Sequence, residues 1–226
     1  MMLEGPRVAP AGGGKPNALI VLLHGYGSSG ADLISLAPFW SKALPRVAFA
    51  APNGPEPVRG LPGGYQWFDL GMRDPGLTEL GARGAAAAID RFLDRELARN
   101  GLDESRLALV GFSQGAMMAL HVGVRRAQPP AAIVGFSGAL VTGKLKEEAR
   151  ARPPILLIHG DRDERIPAEA MFQAAAALAE AELPTLWHLS PGVPHAIGPD
   201  GMQLAAGFLK EMLAVRASVS LAPSWP

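Results

Sequence analysis

Gly111-Phe-Ser113-Gln-Gly115 places a serine between two glycines, directly after the aliphatic run 107–110 and directly before a helical pattern that begins at Ala116. In that strand–turn–helix setting the serine is forced to the tip of a sharp elbow, and the start of the helix directs partial positive charge beside it. A Cβ at 111 or 115 would clash as the strand folds back against the helix. A hydroxyl is a poor nucleophile until a base takes its proton, and the base needs an acid to orient it. On this architecture the three follow the order serine, carboxylate, histidine, at the carboxyl ends of successive strands. After the run 155–158 comes His159-Gly-Asp161-Arg-Asp163-Glu164, with three carboxylates in reach. Asp161 follows the strand-ending glycine and suits a turn, whereas Asp163 lies further out, before Ile166-Pro167 sends the chain into the next helix; Asp163 is the favoured acid. His195 stands on the loop after the run 185–189, just ahead of the helical pattern 202–215, and is the expected base. Together these residues would carry out acyl transfer to a serine.

The oxyanion of such a reaction needs backbone donors, one from the residue after the nucleophile and one from the turn after an early strand. The first is the amide of Gln114. The second falls in Leu23-His-Gly25-Tyr26-Gly27, where two glycines let the backbone approach a substrate and leave the amide of Tyr26 as donor. No G-K-[ST] follows, so this turn is not a phosphate loop. Ser137, in Gly135-Phe-Ser-Gly-Ala139, also follows a strand, but Ala139 takes the place of the second glycine and it reads as a strand-end serine. Of the other histidines, His188 lies within a strand, His121 two turns along the helix beyond Ser113, and His24 and His159 at strand ends as loop anchors. No H-x-x-x-H pair occurs and the chain has no cysteine, so no metal site, disulfide or thiol nucleophile is expected.

The elements that must position these residues alternate. Buried-strand runs at 17–23, 47–51, 107–110, 132–134, 155–158 and 185–189 are separated by helical patterns at 79–100, 116–124, 168–182 and 202–215. Such alternation predicts an α/β fold with a mostly parallel central sheet and helices on both faces. A single domain is expected over 17–215, with a flexible segment at 1–16 and a tail at 216–226. The stretch 56–75 fits neither template; it is rich in Pro and Gly yet carries Tyr65, Trp67, Phe68 and Leu70. Lys+Arg 21 balances Asp+Glu 21, so no global field draws in nucleic acid or an anionic membrane. The chain has no apolar run near the roughly 20 residues of a spanning helix, and its N-terminus lacks a signal-peptide pattern. A cytoplasmic protein with no stable membrane insertion is expected.

At this point the chain resembles a known family. Leu23-His-Gly-Tyr-Gly27, Gln66-Trp-Phe-Asp69, Leu102-Asp-Glu-Ser-Arg106, the G-F-S-Q-G elbow, His159-Gly-Asp-Arg-Asp163 and Pro194-His195 match, in order, the phospholipase/carboxylesterase family, which includes bacterial carboxylesterases and acyl-protein thioesterases. The similarity spans about 17–214. It implies an α/β-hydrolase fold without a large cap, Ser113 as nucleophile, Asp163 as acid, His195 as base, and the Tyr26 and Gln114 amides as the oxyanion hole. It also implies short- to medium-chain acyl esters, lysophospholipids or protein thioesters as substrates, with no cofactor. Tyr26 stands where an aliphatic residue is common, and Ala116 where many members have glycine. Trp67, Phe68, Leu70 and Met117 are the expected lining of an apolar acyl site. The partner is thus a small-molecule ester or thioester; the aromatic loop could also pair two subunits into a homodimer. The alternatives are a lysophospholipase working at membrane surfaces and, from another class, a non-catalytic receptor on the same fold.

Overall fold

Every residue of Ala18–Leu23 and Ile155–Gly160 is buried, as strands covered on both faces require. The computed structural model describes residues 2–70, 75–141 and 144–220. In chain order the strands are β1 (Arg7–Val8), β2 (Ala18–Leu23), β3 (Val47–Ala50), β4 (Glu56–Pro57), β5 (Tyr65–Gln66), β6 (Leu107–Phe112), β7 (Ala132–Phe136), β8 (Ile155–Gly160) and β9 (Thr185–Ser190). The helices are α1 (Gly30–Leu33), α2 (Ala37–Ser41), α3 (Pro75–Asn100), α4 (Gln114–Gly123), α5 (Leu145–Glu148), α6 (Glu169–Glu180) and α7 (Pro199–Ser220). Seven strands form one sheet in the order β1-β3-β2-β6-β7-β8-β9, parallel throughout except for β1, and β4 pairs with β5 as a separate hairpin.

The period-2 alternation of the strands divides the core between two layers. Leu19, Val21 and Leu23 of β2 pack with Ile89, Phe92 and Leu93 of α3, Met118 of α4 and Leu178 of α6. Ala18, Ile20 and Leu22 face the other way, toward Trp40 of α2 and Phe208, Leu209 and Leu213 of α7. Trp40 also donates from its indole to the Met202 carbonyl at 3.1 Å, tying α2 to α7.

The structure departs from the sequence expectation in four places. The segment expected to hang flexibly before residue 17 is laid against the sheet: Leu3 is buried, Arg7–Val8 pairs with β3, and Arg7 forks onto Glu96 at 2.9 and 2.7 Å. Glu96 is itself buried, and Arg7, with Arg95 at 3.6 Å, compensates its charge. Helices α1 and α2 occupy a stretch the periodicity left unassigned. The signal there is a capping box: Ser29 Oγ accepts from the Asp32 amide, and Asp32 returns the bond to the Ser29 amide at 2.9 Å. At the other end α7 runs on through Ser220, past the boundary at 215, and residues 221–226 lie outside the described residues. Finally, the aromatic stretch after β4 is not an open loop: β5 and its neighbours fold inward, so Trp67 and Phe68 are only 2% and 3% exposed.

Candidate active site

β2 and β6 are neighbours, with Leu23 in register with Gly111. Beyond them the sheet extends to β3 on one side and to β7 on the other, so the connections leave in opposite directions and open a crevice at the carboxyl ends of the strands. Ser113 lies directly beyond the carboxyl end of β6 at φ 56, ψ −120, a region L residues seldom occupy. Its conformation is held by its amide donating to the Phe136 carbonyl at 2.8 Å and its carbonyl accepting from Ala116 and Met117 at 2.9 and 3.2 Å. Gly115 is required beneath the elbow, because a Cβ there would overlap the Leu23 carbonyl.

The Asp163 carboxylate and the His195 ring arrive from the adjacent strands β8 and β9, which end in register at Gly160 and Ser190. Their loops are laced together: Asp161 N–H donates to the Ser190 carbonyl at 3.1 Å, Arg162 N–H to Val193 at 3.0 Å, and Gly192 N–H to the Asp161 carboxylate at 2.6 Å. Gly160 permits that approach, since a Cβ would overlap the Val193 carbonyl. Asp161 is thus a turn former between loops. Asp163 points inward: its Oδ1 accepts the amides of Arg165 and Ile166 at 2.9 Å each, and its Oδ2 lies 2.7 Å from Nδ1 of His195. The opposite nitrogen of that ring, Nε2, is 3.0 Å from Ser113 Oγ. Burial alone would push the Asp163 carboxyl up; the Ile166 amide, the His195 ring and the Arg165 amide outweigh it and hold the group below the usual carboxylate value. An ionised Asp163 can only accept, so Nδ1 carries the proton and Nε2 turns a lone pair toward the serine hydroxyl. Phe112 packs its ring 5.0 Å from that of His195, a contact that sequence spacing did not signal.

On the other side of Ser113 lies the turn after β2. A Cβ on Gly25 would stand 3.2 Å from that of Ser113, so this turn lies against the elbow. The amides of Gly27 and Ser28 are taken up by Tyr65 and Gly25 carbonyls, whereas that of Tyr26 meets no acceptor among the described residues. Gln114 opens α4, where first-turn amides have no intrahelical acceptor. The Gln114 side chain accepts from the Trp67 amide at 2.9 Å and donates to the Phe68 carbonyl at 2.7 Å. Trp67 lies with its ring 5.0 Å from that of His24. His24 accepts at Nε2 from the Gly54 amide at 2.8 Å, so its Nδ1 donates to the Gly25 carbonyl at 2.7 Å. Trp67 and Phe68, expected as pocket lining, therefore have their side chains taken up by this brace and by the core under α3. Leu70 is exposed and Met117 is half-buried against the same core.

Glu164 is exposed, and Ser137 is a buried strand-end residue with no helix following it. His188 pairs with Asp200 at 2.7 Å, and His121 lies buried along α4. Among the described residues no three His, Cys, Asp or Glu side chains are grouped to hold a metal ion, and no helix is long and apolar enough to cross a membrane.

A parallel sheet with helices on both faces, a strained serine at the end of a central strand and a histidine within reach of it define an α/β-hydrolase. The phospholipase/carboxylesterase family model matches residues 4–213, and the chain belongs to that family of carboxylic ester hydrolases. It is similar to the crystal structure of esterase PE8, with 42% identity and a TM-score of 0.90 over 94% of this chain and 100% of that one. Esterase YpfH of Escherichia coli K12 is 29% identical over 85% of this chain and 82% of its own length. Acyl-protein thioesterase 1 of Gibberella zeae is 25% identical over 92% and 95% respectively.

Proposed function

We propose that this chain is a serine carboxylesterase in which Ser113 is the nucleophile, His195 the general base and Asp163 the orienting acid. The observation that carries this reading is the continuous contact Asp163 Oδ2–His195 Nδ1 at 2.7 Å and His195 Nε2–Ser113 Oγ at 3.0 Å. His195 removes the hydroxyl proton as Ser113 Oγ attacks the ester carbonyl. The amides of Tyr26 and Gln114 then hold the tetrahedral oxyanion; one such donor is worth about 3–4 kcal/mol in comparable sites. The imidazolium, steadied by Asp163, gives its proton to the departing alcohol. Water, deprotonated by the same ring, releases the acid and restores Ser113. All of this uses side chains and amides of the chain itself.

The substrate is an ester with an uncharged acyl chain of short to medium length. Met117, one turn after Ser113, and the exposed Tyr26 and Leu61 beside the turn after β2 support this reading with apolar surface, while Arg162, Glu164 and Arg165 line the cavity beside His195. Thioester hydrolysis is the second reading, supported by the name of the Gibberella zeae relative; a thioester carbonyl asks the same of the serine, histidine and amides. Profiling 4-nitrophenyl esters from acetate to palmitate tests the acyl preference. The expected result is a maximum in kcat/KM among the shorter chains, and a preference for charged acyl groups with no dependence on alkyl length would refute it.

A further inference from the structure

His159 is the penultimate residue of β8 and is 1% exposed. One face of its surroundings is a cavity of about 10 Å³ whose lining includes the apolar side chains of Ala116, Leu120, Leu157 and Met171, which offer the ring no hydrogen-bond partner. The ring's Nε2 is 2.8 Å from the Ile166 carbonyl and 3.2 Å from Oδ2 of Asp163. Both partners are acceptors, so Nε2 must carry the hydrogen. It donates to Ile166 and lies with its partial positive charge against the same carboxylate oxygen that faces His195. Ile166 closes the circuit, because its own amide donates to Oδ1 of Asp163 at 2.9 Å.

Resting on the triad reading above, we infer that His159 is a positioning residue for catalysis: it fixes both the orientation and the charge of Asp163 through one Nε2–H. The acid is thus held between two histidines with different tasks. His195 exchanges protons with the reaction, and His159 keeps its Nε2 hydrogen turned toward Ile166 and the acid. In the dry surroundings of β8 an N–H near a carboxylate acts more strongly than it would in water. Its removal leaves Asp163 freer to rotate and less neutralised. A less neutralised carboxylate holds a charged imidazole more firmly, so His195 is lost as a base at a higher pH.

The test compares His159→Leu, which deletes the donor, with His159→Gln, whose amide nitrogen reaches the position of Nε2. For a folded His159→Leu enzyme, kcat on a 4-nitrophenyl ester falls about 10–100-fold with KM within about twofold. The acid limb of its kcat/KM profile moves to higher pH by about half a unit or more. His159→Gln recovers most of the rate and returns the limb. An unmoved acid limb, or a Gln variant as impaired as Leu, overturns the role. Should the Leu variant fail to fold, imidazole ¹⁵N shifts of the wild-type enzyme still decide: an Nε2–H ring from pH 5 to 9 supports the inference, and an Nδ1–H ring overturns it. Ser113→Ala separates this from the triad reading. If that variant keeps full turnover the triad falls; if it is inert while the His159→Leu limb is unmoved, only the role of His159 falls.

Discussion

The indole N–H of Trp67 donates to the main-chain carbonyl of His24 at 2.8 Å, one residue before Gly25 and two before Tyr26, whose amide meets no acceptor among the described residues. Trp67 is therefore a brace for the turn after β2 rather than an open pocket wall. The same residue's main-chain amide donates to the Gln114 side chain, so Trp67 ties the turn after β2 through its indole and Gln114 through its backbone.

Trp67→Phe keeps most of the packing and removes that bond, leaving a buried carbonyl unpaired at a cost of about 1–3 kcal/mol. The expected outcome is a lower urea midpoint together with a fall in kcat larger than the change in KM, because the displaced amide serves the transition state more than the ground state. Steady-state kinetics at a temperature where the variant is folded check this; unchanged kcat would mean that the turn holds its shape alone.

The two aspartates of the acid loop should separate cleanly. Asp163→Asn removes the acceptor that fixes the His195 tautomer and should lower kcat by about 10⁴-fold. Asp161→Asn touches the Gly192 amide on the far side of the loop and should leave kcat within about tenfold while lowering stability slightly. Equal kinetic losses at the two positions would contradict the assignment.

Acid should destabilise the fold through two buried rings. Burial, then the Arg125 and Arg83 charges, push His121 from 6.5 down to about 4, with Glu148 and Glu79 offsetting part of the effect. Burial likewise pushes His24 down. The unfolded chain takes up these protons below about 6.5 and the native state does not, so the native state's advantage is complete above that pH and is lost as pH falls toward 4. Urea midpoints from pH 7 to 4.5 should decline. His121→Leu should flatten the decline, since its Nδ1 has no hydrogen-bond partner to lose. A midpoint independent of pH would refute the attribution.

Glycines sort by what surrounds them. Gly84 in α3 and Gly207 in α7 have nothing within 4 Å of a Cβ, and alanine at each should stabilise the helix by about 0.5–1 kcal/mol. Gly115→Ala drives a Cβ into the Leu23 carbonyl and should cost at least about 1–3 kcal/mol, along with activity. Melting temperatures of the three variants decide it; a stable, active Gly115→Ala would mean that the elbow is looser than described.

Much of this was legible in the residues. Strands covered on both faces are apolar without interruption, so β2, β6 and β8 stand out, and Ser113, Asp163 and His195 each fall just beyond a strand end where a parallel sheet gathers its loops. What the chain does not advertise is contact between distant segments. Trp67 reads as pocket lining until its N–H is seen on His24. Gly160 reads as a strand-ending glycine until the Val193 carbonyl is found against it, and His159 as a loop anchor until Asp163 appears beside it. Arg7 pairs with Glu96 from the far end of the chain, and nothing in the Gly- and Pro-rich start foretells that bond. Short helices such as α1 give too few residues for a period to show, although the Ser29–Asp32 capping signal was present.

The most direct test of the account is reaction with a fluorophosphonate, followed by peptide mass mapping. A nucleophile activated by His195 should take up one phosphonyl group at Ser113, lose ester hydrolysis in the same proportion, and label far more slowly in His195→Ala and Asp163→Asn. Hydrolysis that persists with Ser113 fully modified, or a Ser113→Ala protein that still labels and turns over ester, would contradict it.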